Sequence, residues 1–253
     1  MRIVFLGTGT SFGVPAIGCK CRVCLSAYPK NKRLRASVYC VEGESHVLID
    51  CSTDFRQQAL THQIDSLDAV LFTHNHADHI SGIDDLRIYN LLHHRAIDVY
   101  GNEEVINDIR RRYAYCFNPV QIGGGVPQFE LHQADAPFHI GPIAVTPIPV
   151  WHGNLQILAY RLNDFCYVTD ANKIPESSLA HMQELKILVI NALREKPFAT
   201  HFSLGEALEI AQTLHPRQVY FTHISHRLDH EETNRSLPPG YQLAYDGLTL
   251  DVD

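Results

Sequence analysis

At 253 residues, with 45% hydrophobic and 19% charged residues, the chain has an ordinary globular composition and is long enough to bury a substantial core. A formal net charge of −7 argues against a protein built mainly to bind nucleic acid non-specifically. No run approaches the roughly eighteen apolar residues of a membrane span. The odd count of seven cysteines does not suggest a disulfide framework. The N-terminus, Met1 to Gly7, reads as a first strand rather than a signal peptide, so the expected location is the cytoplasm.

Strand-like apolar runs follow one another at 2–6, 37–41, 46–49, 69–72, 97–100, 143–148, 157–162, 166–169, 187–190 and 219–222. The first leads into Gly7-Thr8-Gly9-Thr10-Ser11-Phe12-Gly13, whose third glycine is one position late for a dinucleotide fingerprint. No helical pattern follows it, because Pro15, Gly18 and three cysteines intervene. A tight turn that brings backbone close to an anion is the reading left. Ser52 or Thr53 is placed to cap a helix through Leu60. Asn102, before Glu103 and Glu104, starts another that runs towards Phe117. The segment 121–137, with three consecutive glycines and Pro127, is the loosest part of the chain. Ser203-Leu204-Gly205-Glu206 has the capping-box spacing, and Ala207, Leu208, Ala211 and Leu214 continue an apolar stripe. Strands in groups, then strands alternating with helices, predict an α/β fold: two mixed sheets packed face to face with helices outside, as a single domain over 1–253.

The densest signal is Thr73-His74-Asn75-His76-Ala77-Asp78-His79. Three imidazoles and a carboxylate within six positions suit a simple core badly, since each buried polar group needs a partner. They follow a buried strand, where binding groups gather. His74 and His76 point to one side of an extended segment, and Asp78 and His79 approach from a turn. Further strand-like runs end at His152, Asp170 and His223. A pair of metals needs about six or seven protein ligands, and this set supplies them. Cys19, Cys21 and Cys24 form a separate trio, one ligand short of a closed tetrahedral zinc site. Cys40, Cys51, Cys116 and Cys166 read as small buried hydrophobes.

In this order the motifs resemble the metallo-β-lactamase superfamily, with its His-x-His-x-Asp-His signature, a lone His, a bridging Asp and a final His. The resemblance implies that His74, His76 and His152 hold one metal and Asp78, His79 and His223 a second, with Asp170 between them. It assigns Asp50 to orienting the ligand loop, although Cys51-Ser52 follow it where the family more often has Ala or Thr and then Gly. Gly13-Val14-Pro15-Ala16-Ile17-Gly18-Cys19 and Thr222-His223-Ile224-Ser225-His226 are similar to the PhnP-type cyclic phosphodiesterases. That likeness implies His226 as fourth ligand of a structural zinc with the cysteine trio, and His201 as a proton donor or phosphate contact.

The expected cofactors are therefore two divalent ions, Zn or Mn, in the active site and one structural Zn. The expected chemistry is attack on a small cyclic ribose or nucleotide phosphodiester by a hydroxide bridged between two metals, with Asp78 and His201 as catalytic groups. No stable nucleic-acid complex and no membrane partner are expected, and a homodimer is left open. Only seventeen residues separate His152 from Asp170, too few for the long arm of a tRNA 3′-processing ribonuclease. The thirty residues after His223 are short of the helical extension of a glyoxalase II-like thioesterase. A thioesterase or lactonase, and a metal-stabilised binding protein, are the alternatives.

Overall fold

The computed structural model describes residues 1–118 and 125–252. Among them, two seven-stranded sheets face each other. The first contains β1 (Arg2–Gly7), β2 (Ser37–Glu42), β3 (Ser45–Ile49), β4 (Ala69–Leu71), β5 (Ile97–Gly101), β6 (Phe129–Gln133) and, beyond β1, β14 (Thr249–Asp251). The second runs in order from β7 (Phe138–Ile140) through β8 (Ile143–His152), β9 (Leu155–Leu162), β10 (Phe165–Val168), β11 (Ile187–Asn191) and β12 (Gln218–Thr222) to β13 (Tyr241–Leu243). β3 through β6 are parallel, as are β10 through β13.

The helices are α1 (Arg22–Leu25), α2 (Phe55–His62), α3 (Ala77–Ile80), α4 (Arg87–His93), α5 (Glu103–Arg112), α6 (Ala114–Phe117), α7 (Glu176–Leu179), α8 (Leu204–Leu214) and α9 (His230–Ser236). The central strands are apolar on both faces, as a covered sheet requires. In β3, Val47 and Ile49 join the core between the sheets while Leu48 joins the layer beneath the outer helices. Phe55, Tyr89, Val105 and Ile109 cover the first sheet, and Leu204, Ala207, Ala211 and Leu214 cover the second. This is the αββα sandwich the strand order predicts.

Each expected strand forms within a few residues of its expected bounds, and α8 carries the expected capping box. Two helix expectations need correction. The helix from Asn102 stops at Arg112, because Tyr113 leaves helical dihedrals (φ −110°, ψ 39°), packs into the outer core and donates its hydroxyl to the Ile80 carbonyl; α6 resumes beyond it. The N-cap of α2 is Asp54 rather than Ser52 or Thr53, and its carboxylate binds Arg35 instead of the helix end. Within the segment read as loose, 129–133 forms the edge strand β6, while 121–124 lies outside the described residues. No dinucleotide-type helix follows Gly7; Gly9 instead bridges Arg35 and Ile224.

Gly82 sits where two site-bearing segments touch. Its amide donates to the Cys51 carbonyl, and a Cβ there would stand 2.0 Å from the Ser52 carbonyl oxygen. The backbone after Asp50 must then move. Gly82→Ala is expected to cost about 1–3 kcal/mol, read as a lower urea midpoint at unchanged slope.

Candidate metal centres

The ligand segments all leave the sheets where strands end. Beyond β4 the chain bends at Thr73, His76 (φ −67°, ψ 150°) caps α3, and Asp78 and His79 lie in its single turn. Three other strands end in residues with left-handed backbone: Asp50 (φ 61°) after β3, Asp170 (φ 57°) after β10 and His223 (φ 54°) after β12. Non-glycine residues rarely adopt this conformation. Here it turns the chain sharply at the rim while each polar side chain stays buried.

Three groups of ligand atoms result. His74, His76 and His152 form one, and Asp78, His79, Asp170 and His223 form the next; within each, all ligand atoms lie within 4.8 Å of one another. His152 and Asp170 also group with His201. The two ligand sets are in contact: the His74 and His79 rings are 4.1 Å apart, and Asp170 Oδ1 and Oδ2 lie 3.1 Å from His223 Nε2 and 3.3 Å from His79 Nε2. Asp170 belongs to the second set and, through its grouping with His152, borders the first.

Hydrogen bonds behind the imidazoles settle which nitrogen each presents. His74 Nδ1 donates to Thr73 Oγ1 (2.9 Å), whose hydroxyl donates to Asp50. His79 Nδ1 donates to Asp50 Oδ2 (2.7 Å), and His152 Nδ1 donates to the Thr200 carbonyl (2.8 Å). Each Nε2 is thereby turned towards the ligand space. Burial opposes a charge on His79, but Asp170 and Asp50 outweigh it and raise its pKa well above the usual imidazole range, so a metal there would displace a proton. His74 Nε2 is 3.0 Å from His76 Nδ1, close to the ligand–ligand edge of about 3.3 Å for metal–nitrogen bonds of about 2.0 Å.

The electrostatics point the same way. Burial, then the charge on His79, holds His74 well below the usual imidazole range, so it is neutral and ready to ligate. Burial opposes the charge on Asp170, but His223 and His79 outweigh it and hold the carboxyl well below its ordinary range. Buried His79 Nε2, His201 Nδ1 and both ring nitrogens of His223 have no hydrogen-bond partner among the described residues. Unpaired buried polar atoms are costly, and several pointing into one space fit divalent cations.

The fold brings the cysteine trio together with His226. His226 Nδ1 lies 3.1, 3.5 and 3.4 Å from the sulfurs of Cys19, Cys21 and Cys24. A tetrahedron with zinc–sulfur and zinc–nitrogen bonds of about 2.3 and 2.0 Å has edges of about 3.5 Å between such ligands. The Cys24 amide donates to Cys21 Sγ, lowering that thiol's pKa, and the Ala16 amide donates to Cys24 Sγ. Cys40, Cys51 and Cys166 are fully buried, while Cys116 is only half-buried.

The sequence reading missed the groups that hold these ligands from behind. Asn191 accepts from the Ala171 amide (2.8 Å) and donates to the Ala171 carbonyl (2.9 Å), clamping the residue after Asp170. Asn172 accepts from the Gly153 amide and donates to the Ala199 carbonyl, joining the loops of His152 and His201. Both act on backbone far away in sequence, and no motif signals them. A further group, Asp98, Glu130 and His132, lies across β5 and β6; its His132–Asp98 hydrogen bond (2.7 Å) already pairs the imidazole.

The comparisons agree with this geometry. A family model described as a β-lactamase superfamily domain matches residues 45–224. A crystal structure described as a new diphosphatase from the PhnP family shares 41% identity, with a TM-score of 0.93 over 100% of this chain and 98% of that one. Zn(2+)-bound PqqB from Methylobacterium extorquens shares the fold at 19% identity, with a TM-score of 0.80 over the full length of both chains. An octanoyltransferase from Porphyromonas gingivalis is 40% identical over the whole chain, which spans only 52% of that protein. A coenzyme PQQ synthesis protein B from Methylorubrum extorquens is 31% identical over 34% of each chain. No helix among the described residues is long and apolar enough to cross a membrane. A family model that covers most of the chain, and a PhnP-family structure that matches all of it, mean that the chain belongs to the metallo-β-lactamase superfamily.

Proposed function

We propose that the chain is a metal-dependent phosphodiesterase acting on small cyclic ribose or nucleotide phosphates. The carrying observation is the pair of abutting ligand sets, with Asp170 in one of them and also grouped with His152 of the other. Its support comes from a PhnP-family relative, 41% identical, that is described as a diphosphatase. His74, His76 and His152 would hold one ion and Asp78, His79 and His223 the other; the donor set accepts zinc or manganese. Cys19, Cys21, Cys24 and His226 would hold a structural zinc. Bound together, two divalent ions supply Lewis acidity, lowering the pKa of water towards neutrality and neutralising charge that develops on phosphoryl oxygens.

The chain's own residues do the orienting. Burial opposes the charge on Asp78, but the hydrogen bond and charge of His79 outweigh it and keep the carboxyl ionised. A charged carboxylate within the second ligand set, with one oxygen left over from a metal, can align the attacking water. His201 stacks between Phe198 (5.8 Å, 10° between planes) and His223 (4.8 Å, 29°). Burial, then the charge of His223, pushes His201 down to about 3, so the neutral ring offers an N–H to a phosphoryl or leaving oxygen. This narrows its expected role from full proton donor to hydrogen-bond donor. A second reading, thioester hydrolysis, draws on the octanoyltransferase likeness; that protein is about twice as long as its matching part.

Elemental analysis of purified protein, joined to rates on a cyclic ribose phosphate, a linear nitrophenyl diester, a diphosphate, a thioester and a β-lactam, tests the reading. Three metals per chain and preference for a phosphodiester support it; one metal, or preference for the thioester, rejects it. His201→Ala should retain both active-site metals while kcat falls by about 10²–10³; unchanged turnover removes the residue from the chemistry. Asp50→Asn should weaken active-site metal binding about 10–100-fold, measured by competition with a chelating dye, with the structural zinc unaffected.

A further inference from the structure

His201 is held differently from the imidazoles beside it. His74, His79 and His152 are each fixed by a hydrogen bond at Nδ1. No hydrogen bond reaches the His201 ring among the described residues, and its buried Nδ1 stands 3.7 Å from Asp170 Oδ1, too far for one. Neighbouring rings must then set its plane. These are His223 (4.8 Å) and His152 (4.7 Å), both candidate ligands, and Phe198 (5.8 Å, 10° between planes), which is 44% exposed.

The loop that carries Phe198 shows how so exposed a ring can serve. Its ends are tied: the Leu193 amide donates to the Phe202 carbonyl, and the Leu204 amide to that of Arg194. The Ala199 and Thr200 carbonyls accept from Asn172 and His152. Between these ties, residues 195–198 make no backbone–backbone hydrogen bond among the described residues. The Lys196 and Pro197 carbonyls accept instead from the Arg194 side chain, through Nε (3.1 Å) and Nη2 (3.0 Å). The central carbon of the same guanidinium lies 4.6 Å from the Phe198 ring centre, a cation–π contact. A planar fork can bind two carbonyls and lie on a ring at once, which a lysine point charge cannot. Two of its three nitrogens are thereby turned to its own loop rather than to the cleft.

We propose, resting on the phosphodiesterase reading, that Arg194 is a positioning residue: through Phe198 it fixes the plane of His201 and so aims that ring's N–H at the leaving oxygen. A hydrogen bond to that oxygen matters in proportion to the charge the oxygen develops. It is therefore worth most where a basic ribose alkoxide departs and least where nitrophenolate does.

On zinc-loaded protein, Arg194→Met should lower kcat about tenfold to a hundredfold for a cyclic ribose phosphate. KM and metal content should hardly change, and the loss on a nitrophenyl diester should be much smaller. Phe198→Leu should show the same split, while Phe198→Tyr, which keeps the ring, should retain most of what the leucine loses. Adding Arg194→Met to His201→Ala should cost nothing further, because the first acts only through the second. Apart from turnover, the His201 ring signals in the NMR spectrum of histidine-labelled protein, assigned with His201→Ala, should shift in Arg194→Met while those of His74 and His79 stay. Unmoved His201 signals overturn the proposal whatever the substrate. So do equal losses on both diesters, additive losses in the double variant, or a raised KM at unchanged kcat, which would make Arg194 a substrate contact. Moved signals in a protein that prefers the thioester reject the phosphodiesterase reading and the leaving-oxygen role with it, while the hold of Arg194 on the ring stands.

Discussion

Asp50 is fully buried and sets both carboxylate oxygens against the segment that carries four of the proposed ligands. Oδ1 accepts from the Thr73 amide, and Oδ2 from the Thr73 hydroxyl and His79 Nδ1. Burial alone would push its pKa up, and the charge and hydrogen bond of His79 oppose that. A carboxylate without partners at this depth would be strongly destabilising, so the loop must close on it in one way. His74 is oriented through Thr73 and His79 directly. Two imidazoles of different ligand sets are therefore aligned by one acid that touches no ligand space itself.

Left-handed backbone at Asp50, Asp170 and His223 carries a cost of roughly 1–2 kcal/mol each. Such strain persists only where surroundings over-determine it. Around Asp170 the clamp is Asn191. Around His223 it is the exchange of backbone hydrogen bonds between Ile224 and the segment Thr8–Thr10. That segment is held in turn by buried Arg33, which donates to Thr8 Oγ1 and the Ala244 carbonyl. The first glycine-rich turn, tempting as a phosphate loop, serves here as a splint for a ligand at the opposite end of the sequence.

The buried strands were legible because two-sided apolar runs leave few alternatives, and the candidate ligands were legible because those runs end in His or Asp. β6, β7, β13 and β14 were not, being short or polar edge strands whose pairing is decided by their neighbours. The break at Tyr113 is a tertiary effect: its ring is drawn into the outer core and its hydroxyl to Ile80, overriding a helical pattern. Asn172 and Asn191 read as ordinary strand-end or loop residues, since their partners are backbone atoms that only the fold brings near. Leu91 and Leu92 look like core residues of an amphipathic helix, yet α4 buries Tyr89 and Asn90 instead.

Cys19, Cys21 and Cys24 meet His226 across 207, 205 and 202 positions of sequence. During synthesis at about 5–20 residues per second, the trio waits on the order of ten to forty seconds for its fourth partner. Thr8–Thr10 likewise cannot receive Ile224 until β12 has been made. A segment made about two hundred residues ahead of its partners is thus fixed only after they follow. Throughout that interval the three thiols lack the imidazole that completes their tetrahedral set in the folded chain.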